Sequence, residues 1–342
     1  MSKRRLIASL GVFGCLTIVS TVRADPIADF YSKTQMHYIV GNGAGGGYDS
    51  YVRTMARYMG KYIPGNPTHI VENMPGAGGI RAAAYIFNVA PKDGSVMGSV
   101  TSASATEPLF GNTQAKYETA KFTWIGNIDE SDATCITVAS SGVADFKDVL
   151  AKETIFGATG AGGATVQHVA GLVNLLGAKI KLVSGYKGMA DLNLALQRGE
   201  IQAYCGIPFS ELKGHRGAEL QSGTLKILIQ MAADKPAEIA DVPSVLDFTK
   251  TEEDREVADL VFGRLVLGRP ILAPPDLPAD RRQALRTAFM KTMSDPDFIA
   301  DMQQQKLEFS PSSGEDVERT IKRFAGYPPA VIARAKALMK ED

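Results

Sequence analysis

The stretch Met36-His37-Tyr38-Ile39-Val40 runs into Gly41-Asn42-Gly43-Ala44-Gly45-Gly46-Gly47-Tyr48-Asp49, and the same form returns downstream. There His69-Ile70-Val71-Glu72 passes through Asn73-Met74 into Pro75-Gly76-Ala77-Gly78-Gly79. Each apolar run reads as a buried strand, and each glycine turn as the opening of a helix. Glycine at this density removes the Cβ atoms that would hold a ligand off the main chain, and it permits φ > 0. A strand–turn–helix unit also points unpaired N–H groups, and the positive end of the helix dipole, at whatever lies above the turn. Two such units in tandem point to one anion gripped from two sides.

Working outward, Asp49 or Ser50 can cap the first helix, whose stripe of Val52, Met55, Ala56, Met59 and Ile63 faces a core. Pro64-Gly65-Asn66-Pro67 stops it. Ile80, Ala83, Ala84 and Phe87 give the second helix its inner face, and Pro91-Lys92-Asp93-Gly94 turns into a third strand, Val96 to Val100. This is half of an open parallel sheet with both glycine turns at the carboxyl ends of strands, the edge where ligands bind. Thr101, Ser102 and the hydroxyl-rich run to Thr106 share that edge.

Phe122–Ile125 and Thr134–Val138 are strand-like and cross into a second lobe. There the alternation repeats: strand Thr154–Ala158, a third glycine turn Thr159–Thr165, a helix from Val166, strand Lys179–Val183, the loop Ser184–Gly188, and strand Ile201–Cys205. His168 falls in the first turn of that helix, where facing the cleft and packing are equally open readings. Strands Leu225–Met231 and around Leu265–Leu272 and a helix Pro278–Met293 follow. The fold class is α/β in two lobes, the first from 33–125 plus about 225–300, the second about 126–224, with C-terminal helices over 301–342. Arg281, Arg282, Arg286 and Lys291 read as a solvated helix face.

Lys+Arg and Asp+Glu are both 37 in 342 residues, so no basic bias points to nucleic acid or an anionic membrane. Lys3, Arg4 and Arg5 precede the apolar run Leu6–Val22 and a small-x-small site, the pattern of a signal peptide over residues 1–24 cut after Ala24. The run is short and interrupted for a membrane anchor, and Phe13 is bulky beside a lipoprotein cut at Cys15. Cleavage removes four basic residues and no acidic one, leaving 33 basic against 37 acidic. It also leaves Cys135 and Cys205, which the reading favours as two separate buried thiols over a disulfide.

Gly41-x-Gly43-x-x-Gly46 after a strand fits a dinucleotide fingerprint, so an exported nucleotide-binding enzyme is one alternative. Glu72 ends the second strand but lies farther on than that fingerprint wants, and the other glycine turns stay unexplained. His37, His69, His168 and His215 show no metal spacing, and no Gly-x-Ser-x-Gly elbow occurs. Two lobes with neutral donors at facing sheet edges suit a carboxylate held without catalysis and released by hinge motion. No cofactor is called for.

Gly45-Gly46-Gly47-Tyr48-Asp49-Ser50-Tyr51-Val52-Arg53 resembles the GGG-x-D-x-x-x-R element of the periplasmic receptors of tripartite tricarboxylate transporters, the Bug or TctC-like family. Val71–Gly79 resembles their VEN-x-PGAGG signature almost letter for letter. Pro91–Gly94, Ala158–Gly162 with His168, Gly185-Tyr186-Lys187-Gly188 and Asp241-Val242-Pro243-Ser244 are similar to further family segments, in family order. The resemblance implies a type II periplasmic-binding-protein ("Venus flytrap") fold and a monomeric receptor. It implies delivery of a small organic carboxylate to the large and small membrane subunits of a transporter, with a sensor kinase as the alternative partner. Carried over, the carboxylate pincer is Gly45, Gly46, Gly47 and Asp49 with Gly76, Ala77 and Gly78. Selection falls to Thr101, Ser102, Thr159, Thr165, His168 and Tyr186. The sequence departs from the pattern at Tyr48, which replaces a small residue and puts a bulkier or aromatic carboxylate among the options. The proline usual before the first glycine run is missing, and Asp191 comes earlier than the family's acidic residue, which puts the family's amino-acid and citrate specificities in doubt.

Overall fold

The computed structural model describes residues 25–130, 133–159, 164–231, 237–307 and 309–338. The leader, residues 1–24, and Gly160–Gly163 of the third glycine turn lie outside the described residues. A short helix α1 (Pro26–Tyr31), started by Asp25 accepting from the Ile27 N–H, stands where a polar leader was expected. The first sheet takes β1 (Gln35–Val40), β2 (Thr68–Asn73), β3 (Val96–Ser99) and β4 (Thr123–Asn127). The second is built from β5 (Thr134–Val138), β6 (Thr154–Thr159), β7 (Ile180–Tyr186), β8 (Ala203–Ile207) and β9 (Leu225–Gln230); β10 (Pro270–Ala273) and β11 (Ser312–Ser313) return to the first. Strand order is β11-β4-β10-β3-β1-β2 in one sheet and β7-β6-β8-β5-β9 in the other.

Both sheets are mixed. β1 is parallel to β2 and β3, while β10 runs antiparallel between β3 and β4. β6 is parallel to β7 and β8, and β5 runs antiparallel to β8 and β9. The helices α2 (Gly47–Met59), α3 (Ile80–Asn88) and α4 (Ser102–Thr106) follow β1, β2 and β3. α5 (Phe146–Ala151), α6 (Ala164–Leu176), α7 (Met189–Gln197) and α8 (Phe209–Gln221) serve the second sheet. α9 (Glu252–Gly263), α10 (Ala279–Met293), α11 (Pro296–Gln304), α12 (Gly314–Ala325) and α13 (Pro329–Leu338) complete the chain. Among the described residues no helix is long and apolar enough to cross a membrane.

Alternation along β1 decides the layering. Met36, Tyr38 and Val40 pack with Met55, Met59 and Phe289 on one face, and Ile39 packs with Ala82 and Ile86 on the other. Each such fully buried side chain contributes about 1.5–3 kcal/mol, so helices cover both faces. The second sheet is sandwiched likewise: Cys135, Phe156 and Ile229 meet α6 and α9, while Ile136 and Tyr204 meet α7.

Several expectations are corrected. Leu225–Gln230, assigned to the first lobe, pairs with β5 from Thr134↔Gln230 to Val138↔Leu225 and belongs to the second sheet. α9 follows it, burying Val257, Leu260 and Phe262 in the second core. The C-terminal helices divide: Phe298 and Met302 of α11 join the first core, and Val331 and Ala335 of α13 join the second. Cys135 and Cys205 form a disulfide, because β5 and β8 bring them directly opposite each other in register. Arg286 is buried, not solvated: it donates to the Trp124 carbonyl (2.9 Å) and pairs with Glu315 (2.8 Å) and Glu318 (2.6 Å).

Candidate functional site

The carboxyl ends of β1, β2 and β3 bring the first three loops to one edge, locked from below by Gly41 N–H donating to Ser99 O (2.9 Å) and Met74 N–H to Val40 O (2.8 Å). The two glycine turns touch main chain to main chain: a Cβ on Gly41 would sit 3.3 Å from the Gly79 Cα. Gly76, Gly78 and Gly79 all take positive φ, and Ala77 between them has φ 46°. At Gly79 (φ 105°) a Cβ would also meet Ser104 Oγ at 2.8 Å, so the turn tolerates no side chain there. Thr101 Oγ1 donates to Gly78 O (3.1 Å) and accepts from the Ser104 N–H (3.0 Å), capping α4 and tying the third loop to the second.

Asp49 is not the helix cap. Gly46 holds that position with extended backbone (φ −81°, ψ 169°), and Asp49 sits three residues on. From there its buried carboxylate, 3% exposed, accepts from the Gly45 N–H (2.8 Å), Arg53 Nε (2.9 Å) and Asn73 Nδ2 (2.9 Å). Burial pushes its pKa up, but the bonds from Arg53, Gly45 and Asn73 outweigh that and hold it low. Asn73 also donates to Asn42 O (3.0 Å) and accepts from Arg53 Nη2 (2.9 Å). Asp49 thus welds loop, helix and second strand together, and all its acceptor capacity faces protein groups. The exposed face of the site is main chain. Gly45–Gly47 and Gly76–Gly78 are exposed, and the first helical N–H groups, at Gly47, Tyr48 and Asp49, have no intrahelical acceptor.

Tyr48 does not stand at the rim. Its half-buried ring lies under the Arg269 guanidinium, 4.6 Å from the ring centroid, and its hydroxyl faces the Ser102 backbone. Burial first of all raises the Tyr48 pKa. Arg269 also covers Tyr51 at 4.8 Å. It enters the edge because β10 runs antiparallel beside β3, which puts the residue before β10 at the carboxyl end of its neighbour. Asn127 locks the interlobe connectors here, accepting from the Arg269 N–H (2.9 Å) and donating to Asp129 O and Val266 O (both 2.9 Å).

In the second lobe the same edge is made of side chains. Thr165 Oγ1 accepts from the Thr159 N–H (3.0 Å) and bonds Thr159 Oγ1 (2.8 Å), closing the turn across Gly160–Gly163. His168 is 5% exposed, and neither ring nitrogen has a partner among the described residues. Burial, with Arg264 adding to it, lowers its pKa to about 4, so the ring is neutral at pH 7. Tyr186 ends β7 beside Thr159, half-buried and inside the strand where a loop was expected. Lys187 is exposed, and its N–H donates to Asp191 Oδ2 (3.2 Å).

Sequence reasoning brings Gly45–Asp49, Gly76–Gly78, Thr101 and Ser102 to one edge, and Thr159, Thr165, His168 and Tyr186 to the other. It misses Asn73, Arg264 and Arg269. Asn73 lies in a quoted signature and was readable as a polar strand end. The two arginines carry no local signal, since only the return of the chain between lobes brings them to the site. Among the described residues no three metal-ligating side chains gather.

Residues 52–336 match the family described as "Tripartite tricarboxylate transporter family receptor". No curated protein is significantly similar in sequence. Among solved structures, a TctC solute-binding protein from Polaromonas without ligand superposes with TM-score 0.69 at 21% identity, over 90% of this chain and 98% of the other. MatC from Rhodopseudomonas palustris with bound malate gives 0.50 at 17%, over 90% and 100%. An R. palustris protein solved with adipate gives 0.53 at 19%, over 90% and 96%. The likeness agrees with a two-lobed periplasmic-binding-protein fold. The chain belongs to the tripartite tricarboxylate transporter receptor family, and so is a solute-binding protein and not an enzyme.

Proposed function

From that membership we propose that the chain is an exported receptor that captures an organic carboxylate between its lobes and delivers it to a tripartite membrane transporter. One carboxylate is held by the main chain of Gly45–Gly47 and Gly76–Gly78, with Asp49 shaping the first loop from behind. The remainder of the ligand meets Tyr48, Thr101 and Ser102 in one lobe and Thr159, Thr165, His168 and Tyr186 in the other. The observation that carries this reading is the contact of the two glycine turns at Gly41 and Gly79, which aims two helix starts at one point. Backbone donors and helix dipoles there favour an anion. Relatives of the same fold solved with malate and with adipate support the ligand class. The signal-like leader supports export to the periplasm.

A thermal-shift screen against organic acids tests this. A receptor in excess ligand gains RT ln(1 + [L]/Kd), so one or more carboxylates raise the melting temperature without being consumed. No shift with any carboxylate, together with a shift on adding NAD or ATP, would overturn the reading and restore the dinucleotide alternative.

A further inference from the structure

Three arginines are buried among the described residues: Arg216, Arg264 and Arg286. Two of them are paired, Arg216 with Glu219 and Arg286 with Glu315 and Glu318. Arg264, 9% exposed, has no carboxylate within ion-pair distance among the described residues. Its guanidinium makes only two hydrogen bonds, Nε to Val261 O (3.3 Å) and Nη2 to Gln167 Oε1 (3.0 Å), leaving Nη1 without a partner. The acid whose charge it feels, Glu107, accepts instead from Asn112 Nδ2 (2.7 Å). A buried charge without a counter-charge costs several kcal/mol, and the chain avoids that cost at its other two buried arginines.

Arg264 begins the 3₁₀ turn that packs on α4, the helix carrying Ser102, and it bonds Gln167, the neighbour of His168 on α6. It therefore sits where the ligand edges of the two lobes meet, next to a neutral imidazole with two unpartnered nitrogens. A second cation on the same connector, Arg269, repeats the pattern. It makes no ion pair among the described residues, its Nε is sealed and unpartnered, and its Nη2 lies 3.8 Å from where a Gly47 Cβ would be.

We infer that the ligand carries two anionic groups, one met at the first glycine turn with Arg269 beside it and the other by Arg264 next to His168. The inference rests on the proposed carboxylate-binding cleft and narrows its cargo to dianions. Charge-assisted hydrogen bonds are the strong ones, and a guanidinium presents a carboxylate with two parallel donors.

The test is calorimetric titration of the purified protein with dicarboxylates from succinate to pimelate, each against the monocarboxylate of equal length. A diacid of fitting length binds about tenfold or more tighter than its monoacid. In Arg264→Met, which keeps the buried stem, the ratio falls towards one, and in Arg264→Lys it is partly kept. Arg269→Gln weakens both classes. Melting curves without ligand confirm that each variant folds, and if Arg264→Met does not, the Lys variant and the salt dependence of the diacid preference carry the test. Monoacids binding as tightly as diacids, or a preference intact in Arg264→Met, would overturn this inference alone. No binding by any carboxylate would overturn it together with the reading on which it rests.

Discussion

In the first lobe the groups presented to the cleft are main-chain N–H groups on glycine turns, with the charged residues Asp49 and Arg53 bonded to each other behind them. In the second lobe the same position is held by side chains, a threonine pair, an unpartnered histidine and an arginine from the connector. A main-chain site fixes where a carboxylate sits and says little about what it is attached to. A side-chain site can change with one substitution. The two halves thus divide the work into a general grip and a particular choice. The braces differ too: the first loop is held by a hydrogen-bonded carboxylate, and the second sheet is stapled by Cys135–Cys205.

That contrast can be broken experimentally. The largest effect is expected at the staple. It closes a loop with a sequence separation of 70, so replacing both cysteines by alanine lowers stability by about 4 kcal/mol. Chemical denaturation reads the loss, and if the lobes are separately braced, hydrogen exchange rises in β5–β9 before β1–β3.

The next effect is a pH dependence of the second lobe. The folded His168 pKa is depressed to about 4, first by burial and then by Arg264, against about 6.5 unfolded. Below 6.5 the unfolded chain takes up a proton that the folded chain refuses, so stability falls as pH drops and the loss is complete near pH 4. The full loss is on the order of 3 kcal/mol, and His168→Phe flattens this limb of the stability–pH curve. Asp49 acts lower. Its folded pKa is depressed, so its contribution is present above the ordinary carboxylate value, about 4, and is lost as pH falls through the folded value.

Asp49→Ala strands the Gly45 N–H, Arg53 and Asn73, and is expected to cost about 2 kcal/mol along with the affinity for carboxylates. Smaller still is a paired glycine test. Gly79 and Gly185 have φ 105° and 109°, but only Gly79 has an atom, Ser104 Oγ at 2.8 Å, where a Cβ would go. Gly185→Ala costs about 1 kcal/mol from backbone strain alone. Gly79→Ala costs more and also weakens carboxylate binding, as denaturation and titration of the two variants will show. Equal costs would remove the argument that the first-lobe turns are packed main chain to main chain.

The same contrast sets what could be read from the sequence. Glycine turns are legible because conformation itself demands the residue, and the runs 76–79 and 45–47 locate their edge without any structure. Leu225–Gln230 was misassigned because an apolar run declares a buried strand but not which sheet it joins; β5 decides that through pairing. Cys135 and Cys205 were read as separate thiols since only the register of β5 against β8 sets them opposite. Asp49 looked like a cap because Asp and Asn favour that place, but Gly46 took it and freed the carboxylate to reach back to Gly45. Arg264 and Arg269 lie in an ordinary-looking segment and gain their meaning only where the chain passes between the lobes.

The most direct test of the main-chain grip is the structure of the protein with an organic acid bound. One carboxylate is expected within hydrogen-bond distance of N–H groups from both Gly45–Tyr48 and Gly76–Gly78, with Asp49 still bonded to Gly45, Arg53 and Asn73. An acid bound elsewhere, or held in the first lobe by side chains with both glycine turns empty, would contradict the account.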